Sequence, residues 1–474
     1  MPAAGCGTFA GTLHGSGLFT RQGGQVLLLP RQGDGMALGD TFFFRMADGT
    51  VKQLNPFTGA EVWTVPGRML RIDDQLPRDG KTADRTQPEK LCHYCEANWA
   101  MTPPEKSRLV RSENGWTTYH HVPLSGLHTT QAEFRRIPKL FETVSFDYWA
   151  KNYGCKLSGR AQAWKNEYIA EPGAKEQLEA LLRTKLQLSG RNQDEITALL
   201  SKRVLTAADP FFGGCHELVI PRRHLQPDAV HPTQIEHSGS MTPDQHFQYF
   251  RLTIEALREI HRENRYVRYV AIFQNYLASA GASCDHLHKQ LVGLDEWGAH
   301  LEKEVEQLRR DPNIYNHFAA NQAIYHNLQV ASNDHALVIV EFGHRWPTLC
   351  VYSKSRVGRP EEHSTEELRQ VSDLVHACHA VATPRLGSTE EWFYSPRDLT
   401  LWAPWRILIK WRITIHTGFE GGTRIYLNPV DPWELRDMAI TRLLRLRSEG
   451  KVEKMCIGEE CSAEPNPLQY IRNY

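Results

Sequence analysis

Three polar side chains at alternating positions could carry chemistry in this sequence. His286, His288 and Gln290 lie in the run His-Leu-His-Lys-Gln. Alternate side chains of a β-strand point to one face, so we expect these three to share a face. A neutral imidazole can attack phosphorus, a second can bind a metal or orient the first, and an amide can donate to a phosphate oxygen without adding charge. The pattern favours phosphoryl transfer, although a surface strand that happens to carry polar residues has the same spacing.

The residues before this run fit the same chemistry. Asn275 closes an apolar strand that covers Tyr269 to Phe273, and Gly281-Ala282-Ser283 forms a turn of small residues. The backbone amides and the hydroxyl of such a turn can approach a phosphate closely.

Together these residues form one spaced motif, Asn, five residues, then Gly-x-Ser-x-x-His-x-His-x-Gln. It consists of Asn275, Gly281, Ser283, His286, His288 and Gln290. The motif resembles the active-site segment of the galactose-1-phosphate uridylyltransferase family, a branch of the histidine-triad superfamily. The resemblance is specific over about residues 90–105 and 213–293.

The resemblance implies a role for each residue of the motif. His288 would be the nucleophile that carries a nucleoside monophosphate, and Gln290 would hydrogen-bond the phosphoryl group. Ser283 would be catalytic as well as substrate-binding, and Asn275 and Gly281 would help to hold the substrate.

A Cys-x-x-Cys pair lies well upstream, at Cys92 and Cys95. Such a pair is a zinc motif only when further ligands can be named, and otherwise is a reduced pair in a turn or a redox pair. The family resemblance implies the other two ligands, His224 and His286. Four such ligands leave no open position, so the zinc would be structural and would fix the histidine strand.

Composition is that of an intracellular enzyme. The 474 residues include 55 Lys and Arg against 55 Asp and Glu, so no net charge attracts nucleic acid or a membrane surface. The 10 cysteines are scattered, which fits a reducing compartment, and Cys456 and Cys461 are expected to be free thiols. The sequence starts without a signal-peptide pattern and has no membrane-length apolar run. We expect a cytoplasmic protein, without nucleic-acid or membrane partners, that forms a homodimer.

An internal repeat predicts the fold class. The first copy has a strand at Glu217 to Ile220, a helix capped by Thr242, a strand to Phe273 and the histidine strand. The second has a strand at Thr348 to Tyr352, a helix capped by Ser364, a segment Trp392 to Tyr394 and a strand Trp411 to His416. We predict an α+β protein of duplicated histidine-triad-like domains, each an antiparallel sheet with flanking helices, plus an N-terminal β extension.

The predicted domains are residues 1–85 for the β extension, 86–318 for the first repeat and 319–474 for the second. A helical insertion falls near 150–210 within the first repeat, with leucines spaced from Ala174 to Leu205. It could be a lid, an oligomer surface or a solvated insertion. The basic run Arg135 to Phe141 weakly resembles the family's nucleotide-pocket strand, but a charged solvated turn fits equally.

The two copies are not equivalent by sequence. Aligned on the motif, the second has Thr414-x-His416-x-Gly418, so a second metal site found in the family is absent or altered. His416 would contact substrate or fill a polar core position. Arg424 begins Arg-Ile-Tyr-Leu-Asn-Pro-Val, where the uridylyltransferases have a hexose-binding Lys-Phe-Met-Val-Gly-Tyr-Glu. Arg424 could still meet an acceptor phosphate, but galactose specificity does not follow.

The sequence therefore predicts a nucleotidyltransferase that works by double displacement. A nucleotide sugar or dinucleotide would donate its nucleoside monophosphate to His288, and a phosphate-bearing acceptor such as a hexose 1-phosphate would take it. An alternative on the same site is a nucleotide-sugar or dinucleoside polyphosphate phosphorylase or adenylyltransferase. A different class is a zinc-stabilised, non-catalytic nucleotide-binding protein.

Overall fold

The structure, a computed structural model, describes residues 19–22, 25–28, 42–69, 92–230 and 234–471. Much of the predicted N-terminal extension lies outside these residues, as does Cys6. Residues 1–41 and 42–474 are separate compact units. In the first, a hairpin pairs β1 (Phe19–Gln22) with β2 (Gln25–Leu28). The predicted three-domain division stays a prediction.

The second unit is built on a sheet of twelve strands in which every neighbouring pair is antiparallel. Its order is β18-β12-β13-β14-β16-β15-β10-β11-β9-β8-β6-β7. A smaller sheet has the order β17-β5-β4-β3. The strands of this unit are β3 (Phe43–Arg45), β4 (Val51–Leu54), β5 (Glu61–Thr64), β6 (Ser107–Ser112), β7 (Gly115–His120), β8 (Ala132–Pro138), β9 (His216–Pro221), β10 (Tyr269–Tyr276), β11 (Lys289–Leu294), β12 (Gln329–Ser332), β13 (Ala336–Val340), β14 (Thr348–Ser353), β15 (Ser388–Phe393), β16 (Arg406–Trp411), β17 (Ile425–Leu427) and β18 (Cys456–Ile457).

Helices cover one face of the large sheet. α6 contacts β9 and β11, α9 contacts β13 and β14, and the two helices pack against each other. The helices are α1 (Phe146–Tyr153), α2 (Gly159–Ile169), α3 (Ala174–Leu188), α4 (Gln193–Ala207), α5 (Pro210–Gly213), α6 (Pro243–Glu263), α7 (Ala299–Arg310), α8 (Asn321–Tyr325), α9 (Thr365–Val381), α10 (Gly418–Thr423) and α11 (Pro432–Ser448). The predicted α+β class of antiparallel sheet with flanking helices is confirmed.

Local sequence explains where the two central helices begin. Both start with a capping box, Thr242 with Gln245 in α6 and Ser364 with Glu367 in α9, as the sequence predicts. Apolar residues recur in α6 at steps of three and four positions, which predicts one buried face, and all four are buried: Phe247, Phe250, Ile254 and Leu257. The predicted insertion is helical too. Leu178, Leu181, Leu182 and Leu200 form a second core cluster with α2 and α5, whereas Leu188, Leu199 and Leu205 are exposed.

The opposite face of the sheet is open near its centre. Side chains of β10 alternate between buried and half-buried, and the half-buried ones are Ala271, Phe273 and Asn275. Because strand side chains alternate, all three point away from α6 and α9. The same face continues onto β15 through half-buried Glu391 and onto β16 through half-buried Lys410.

The order of strands relates the two repeats by an approximate twofold axis between β10 and β15. β11, β9 and β8 follow β10 on one side as β16, β14 and β13 follow β15 on the other. β11 ends at Leu294 and β16 at Trp411, each opposite the first residue of the neighbouring strand. Counting back along both strands from these ends aligns Gln290 with Ile407.

This register corrects two expectations. The strand predicted at Trp411 to His416 ends at Trp411, and His416 is exposed in an irregular segment, so it fills no core position. The counterparts of His286 and His288 are therefore Ala403 and Trp405, not Thr414 and His416. The second repeat has replaced the motif with apolar residues.

Among the described residues, no helix is both long enough and apolar enough to cross a membrane.

Candidate active site

The two cysteines and two histidines predicted as metal ligands lie together. The Sγ atoms of Cys92 and Cys95 are 3.7 Å apart. Nδ1 of His224 lies 3.5 and 3.6 Å from these sulfurs, and Nδ1 of His286 lies 3.5 and 3.8 Å from them. A tetrahedral zinc with Zn–S bonds of about 2.3 Å and Zn–N bonds of about 2.0 Å would separate two sulfurs by about 3.8 Å and sulfur from nitrogen by about 3.5 Å. The four ligand atoms therefore have the spacing of a closed tetrahedral site.

Hydrogen bonding fixes which nitrogen of His286 faces the cluster. Nε2 of His286 lies 2.7 Å from the backbone carbonyl of Pro221, and a carbonyl oxygen can only accept. Nε2 therefore carries the proton, and the lone pair of Nδ1 points at Cys92 and Cys95. A metal-binding histidine that donates its other N–H to a carbonyl is the usual arrangement.

The cysteine thiols are predisposed to hold a cation. The pKa of Cys95 is lowered to about 2, chiefly by a hydrogen bond from Cys92 and further by His224 and His286. The pKa of Cys92 is raised, chiefly by hydrogen bonding with Cys284 and with Cys95. A lowered thiol pKa favours the thiolate, which is the form of cysteine that binds a divalent cation.

His288 lies directly before β11, with one nitrogen held and the other free. Its Nδ1 lies 2.8 Å from the backbone carbonyl of His286, so Nδ1 donates and Nε2 has the lone pair. Burial is the main reason that the pKa of His288 is lowered to about 4, so the ring is neutral at pH 7. The Tyr94 ring covers it at 5.9 Å. A neutral imidazole with an oriented free nitrogen can act as a nucleophile.

Gln290 places its amide beside this free nitrogen. Nε2 of Gln290 is 3.5 Å from Nε2 of His288. Its Oε1 accepts from Nζ of Lys139 at 2.6 Å and lies 3.2 Å from Nε2 of His216. A charged ammonium can only donate, so the carbonyl end of the amide must face Lys139 and the NH₂ end must face His288.

His216 reinforces that orientation. Its Nδ1 accepts from the backbone N–H of Thr143 at 2.9 Å, which leaves the proton on Nε2 for Gln290. Burial lowers the pKa of His216 to about 4, with a smaller effect of the nearby Lys139 charge, so this tautomer persists at neutral pH. Burial also lowers the pKa of Lys139.

The predicted substrate residues are brought only partly together. Asn275 follows Gln274 on β10, and Gln274 is opposite Lys289, so Asn275 is the next residue in register with His288. A Cβ on Gly281 would lie 4.0 Å from Nδ2 of Asn275, and Gly281 has φ +84°, which favours glycine. Ser283 is two residues further along this turn.

No hydrogen bond or ion pair joins Arg424 to these residues in the described part of the chain. Arg424 ends α10 in the left-handed conformation, is exposed, and among the described residues forms no side-chain hydrogen bond or ion pair.

Two residues of the site were missed by sequence reasoning. Lys139 lies within the basic run Arg135 to Phe141, and no motif of the sequence singles out His216. Lys139 lies opposite His216 at the end of the β8–β9 pairing. In the second repeat the equivalent pairing of β13 with β14 places Val340 opposite Leu349, so Val340 corresponds to Lys139 and Leu349 to His216. The polar cluster is therefore present in one repeat alone.

Comparisons with known proteins agree with this architecture. A family model described as "Domain of unknown function (DUF4921)" matches residues 46–470. No curated protein sequence matches. A crystal structure of an ADP-glucose phosphorylase from Arabidopsis thaliana with bound ADP-glucose is similar with a TM-score of 0.51 and 15% identity, covering 82% of this chain and 97% of that chain. A GalT-like protein from Arabidopsis thaliana gives a TM-score of 0.50 and 15% identity, covering 82% and 98%. At this identity the similarity concerns the fold.

Proposed function

The chain belongs to the family described as "Domain of unknown function (DUF4921)", and for this member we propose a nucleotidyltransferase that works through a covalent nucleotidyl-histidine. The observation that carries the proposal is the free Nε2 of His288, held by the carbonyl of His286 and faced by the amide of Gln290. The donor would be a nucleotide sugar and the acceptor a hexose 1-phosphate.

In the first half-reaction, the lone pair on Nε2 of His288 attacks the α-phosphorus of the donor. The bond from that phosphorus to the bridging oxygen breaks, and its electron pair leaves with the sugar phosphate. Nδ1–H of His288 keeps its bond to the carbonyl of His286, which stabilises the positive charge that develops on the ring. An acceptor phosphate oxygen then reverses the step and frees the histidine.

Gln290 would donate its NH₂ group to a non-bridging phosphoryl oxygen. Because Lys139 and His216 hold the carbonyl end, the donor end is preorganised and need not rotate during the reaction. A neutral amide also cannot activate water as a base, which protects an intermediate that waits for its acceptor. Ser283, Asn275 and Gly281 would hold the substrate phosphate from the preceding turn.

Zinc is the metal that we propose for the cysteine and histidine cluster. Cys92, Cys95, His224 and His286 would hold it, and two thiolate-type and two imidazole ligands at these separations suit zinc. With four protein ligands, bound zinc would supply structural support alone. It would fix His286 and, through the carbonyl of that residue, the ring of His288.

A phosphorylase reaction is the second candidate. The similar structure from Arabidopsis thaliana is an ADP-glucose phosphorylase, and this sequence lacks the Lys-Phe-Met-Val-Gly-Tyr-Glu segment of the uridylyltransferases. In that case inorganic phosphate would take the nucleotidyl group from His288.

Isotope exchange tests the proposal and separates the two candidates. The protein would be mixed with UDP-glucose or ADP-glucose and with either labelled glucose 1-phosphate or labelled inorganic phosphate. Double displacement predicts that label from glucose 1-phosphate enters the nucleotide sugar without a second nucleotide. Phosphorolysis predicts labelled nucleoside diphosphate from inorganic phosphate. Exchange with neither acceptor and neither nucleotide would favour a non-catalytic protein.

A further inference from the structure

Arg412 follows β16 and reaches the open face of the sheet. Its backbone N–H donates to the carbonyl of Gly387 at 2.8 Å, and its Nη1 donates to Oγ1 of Thr389 at 3.2 Å. The guanidinium carbon lies 3.9 Å from the centre of the Trp346 ring. Thr389 is directly opposite Asn275 in the sheet. Arg412 therefore belongs to the second repeat but lies beside a residue of the proposed active site.

The turn that would hold the substrate phosphate packs next to Arg412. A Cβ on Gly387 would lie 2.0 Å from Oγ and 3.2 Å from Cβ of Ser279, so this turn packs closely against position 387. Ser279 lies two residues before Gly281. The carbonyl of Gly387 in turn holds the backbone of Arg412.

Among the described residues no carboxylate lies within ion-pair distance of Arg412, and the acid whose charge reaches it is Glu391 on the same face of the sheet. Neighbouring cations are paired: Arg345 donates to both oxygens of Glu420, and Lys410 lies 2.6 Å from Glu391. Within the described ranges Arg412 forms no ion pair, and its Nε is buried without a hydrogen-bond partner. A buried donor without a partner is costly and is usually satisfied by a ligand or water.

Geometry places this guanidinium within reach of a diphosphate on His288. Asn275 is one strand from His288 and Thr389 is two strands away, at about 4.8 Å per strand. The α-phosphorus would sit on Nε2 of His288, and the second phosphate would extend over Asn275 towards Thr389. Arginine suits that phosphate because its planar fork can donate two parallel hydrogen bonds.

We infer that Arg412 binds the phosphate that leaves the α-phosphorus in the first half-reaction and attacks it in the second. This inference rests on the proposed nucleotidyl transfer. When the α-phosphorus to oxygen bond breaks, the departing phosphate gains one negative charge, which Arg412 stabilises. By microscopic reversibility the same contact positions the acceptor phosphate. Donor and acceptor must therefore both carry a phosphate that reaches Arg412. The second repeat thus supplies the binding site for that phosphate.

Two donors with different leaving groups test this role. When His288 attacks a nucleoside diphosphate sugar, the leaving group is a sugar phosphate. When it attacks a nucleoside 5′-phosphorimidazolidate, the leaving group is imidazole, which takes its proton from water. Rapid quench followed by mass measurement gives the rate of adduct formation from UDP-glucose, ADP-glucose and the matching phosphorimidazolidates. We expect Arg412→Ala to slow adduct formation from the diphosphate sugar by about a hundredfold, the usual effect of removing one transition-state donor, and to leave the phosphorimidazolidate rate unchanged.

Matched variants separate this contact from a folding defect. Arg412→Lys keeps the charge without the fork and should recover only part of the rate. Arg111→Ala removes another tryptophan-stacked arginine, over Trp116 in the edge hairpin of the sheet, and should change neither rate.

The outcomes are distinct. Equal slowing with both donors would make Arg412 structural, and no slowing with either would remove it from the site; each overturns the inference while the parent still forms the adduct. If the parent forms no adduct from any donor, the proposed function itself fails and the role of Arg412 with it.

Discussion

The backbone carbonyl of His286 accepts a hydrogen bond from Nδ1 of His288 at 2.8 Å. The ring of His286 therefore faces the cysteines, while its backbone carbonyl orients the ring of His288. This relationship links the proposed zinc site to the proposed chemistry through one backbone carbonyl. Loss of zinc would be expected to misorient His288 as well as to destabilise the protein.

Metal content should follow the four predicted ligands. We expect about one zinc per chain in the parent and close to none in Cys92→Ala or His224→Ala, with a lower midpoint of thermal unfolding, because binding energy at a closed site is also folding energy. Elemental analysis of the purified protein measures this. Cys456→Ala, which removes an exposed thiol, is the control. Full zinc content in Cys92→Ala would defeat the assignment.

His216 should act through Gln290. Replacing His216 with Leu removes a hydrogen bond that orients the amide, and we expect kcat for exchange to fall about fivefold, since one such bond contributes about 1 kcal/mol. In a Gln290→Ala background the same replacement should have no further effect, because there is no amide left to orient. Additive losses in the double variant would show that His216 acts independently.

Gly387 should be intolerant of a side chain. In Gly387→Ala the hydroxyl of exposed Ser279 must rotate away, and the new Cβ would still lie 3.2 Å from Cβ of Ser279. We expect the free energy of unfolding to fall by about 1 kcal/mol, the lower end of the usual cost of overpacking. Gly159→Ala is the matched control, because a Cβ there meets open space. Denaturant unfolding compares the two. Equal stability of the two variants would mean that the turn carrying Ser279 does not pack as described.

Acid should destabilise the protein through buried histidines such as His376. Its Nε2 lies 2.8 Å from the carbonyl of Met241, and burial lowers its pKa to about 4 from an ordinary value of 6.5. Between pH 6.5 and pH 4 this histidine is therefore protonated in the unfolded chain and neutral in the folded chain. Stability is complete above pH 6.5 and is lost as pH falls towards 4, by on the order of 3 kcal/mol for this residue.

Denaturant unfolding of the parent and His376→Gln from pH 7 to pH 4 measures this effect. The glutamine can still donate to Met241 but does not titrate, so its stability should fall less steeply with acid. Parallel curves would assign the acid sensitivity to other groups.

Local features of the fold could be predicted from the sequence. The capping boxes at Thr242 and Ser364 and the apolar stripe of α6 depend on residues within a few positions of one another. The α+β class followed from the same elements. The motif around His288 was equally local, and the structure brings Cys92 and His224 to His286 as the family resemblance implied.

Long-range placement could not be predicted in the same way. Lys139 and Gln290 are 151 positions apart, and only the register of β8, β9 and β11 brings them together. The strand predicted to include His286 starts at Lys289, and the side chain of His286 bonds the Pro221 carbonyl and faces the cysteines.

The same limit applies to the second repeat. The spacing of polar residues aligns Thr414 and His416 with the motif, whereas strand pairing makes Ala403 and Trp405 the counterparts and brings Arg412 to the open face. Arg424, the acceptor residue predicted from sequence, stays a prediction. Slowing of the second half-reaction alone in Arg424→Ala would support it.

The most direct measurement of the central claim is the intact mass of the protein after brief mixing with a nucleotide sugar. We predict that the parent gains the mass of one nucleoside monophosphate from UDP-glucose or ADP-glucose, and that the adduct disappears when an acceptor phosphate is added. His288→Ala should bind zinc as the parent does, form no adduct, and lose at least about a thousandfold in exchange. An adduct of the same mass on His288→Ala, or none on the parent with either donor, would contradict the account.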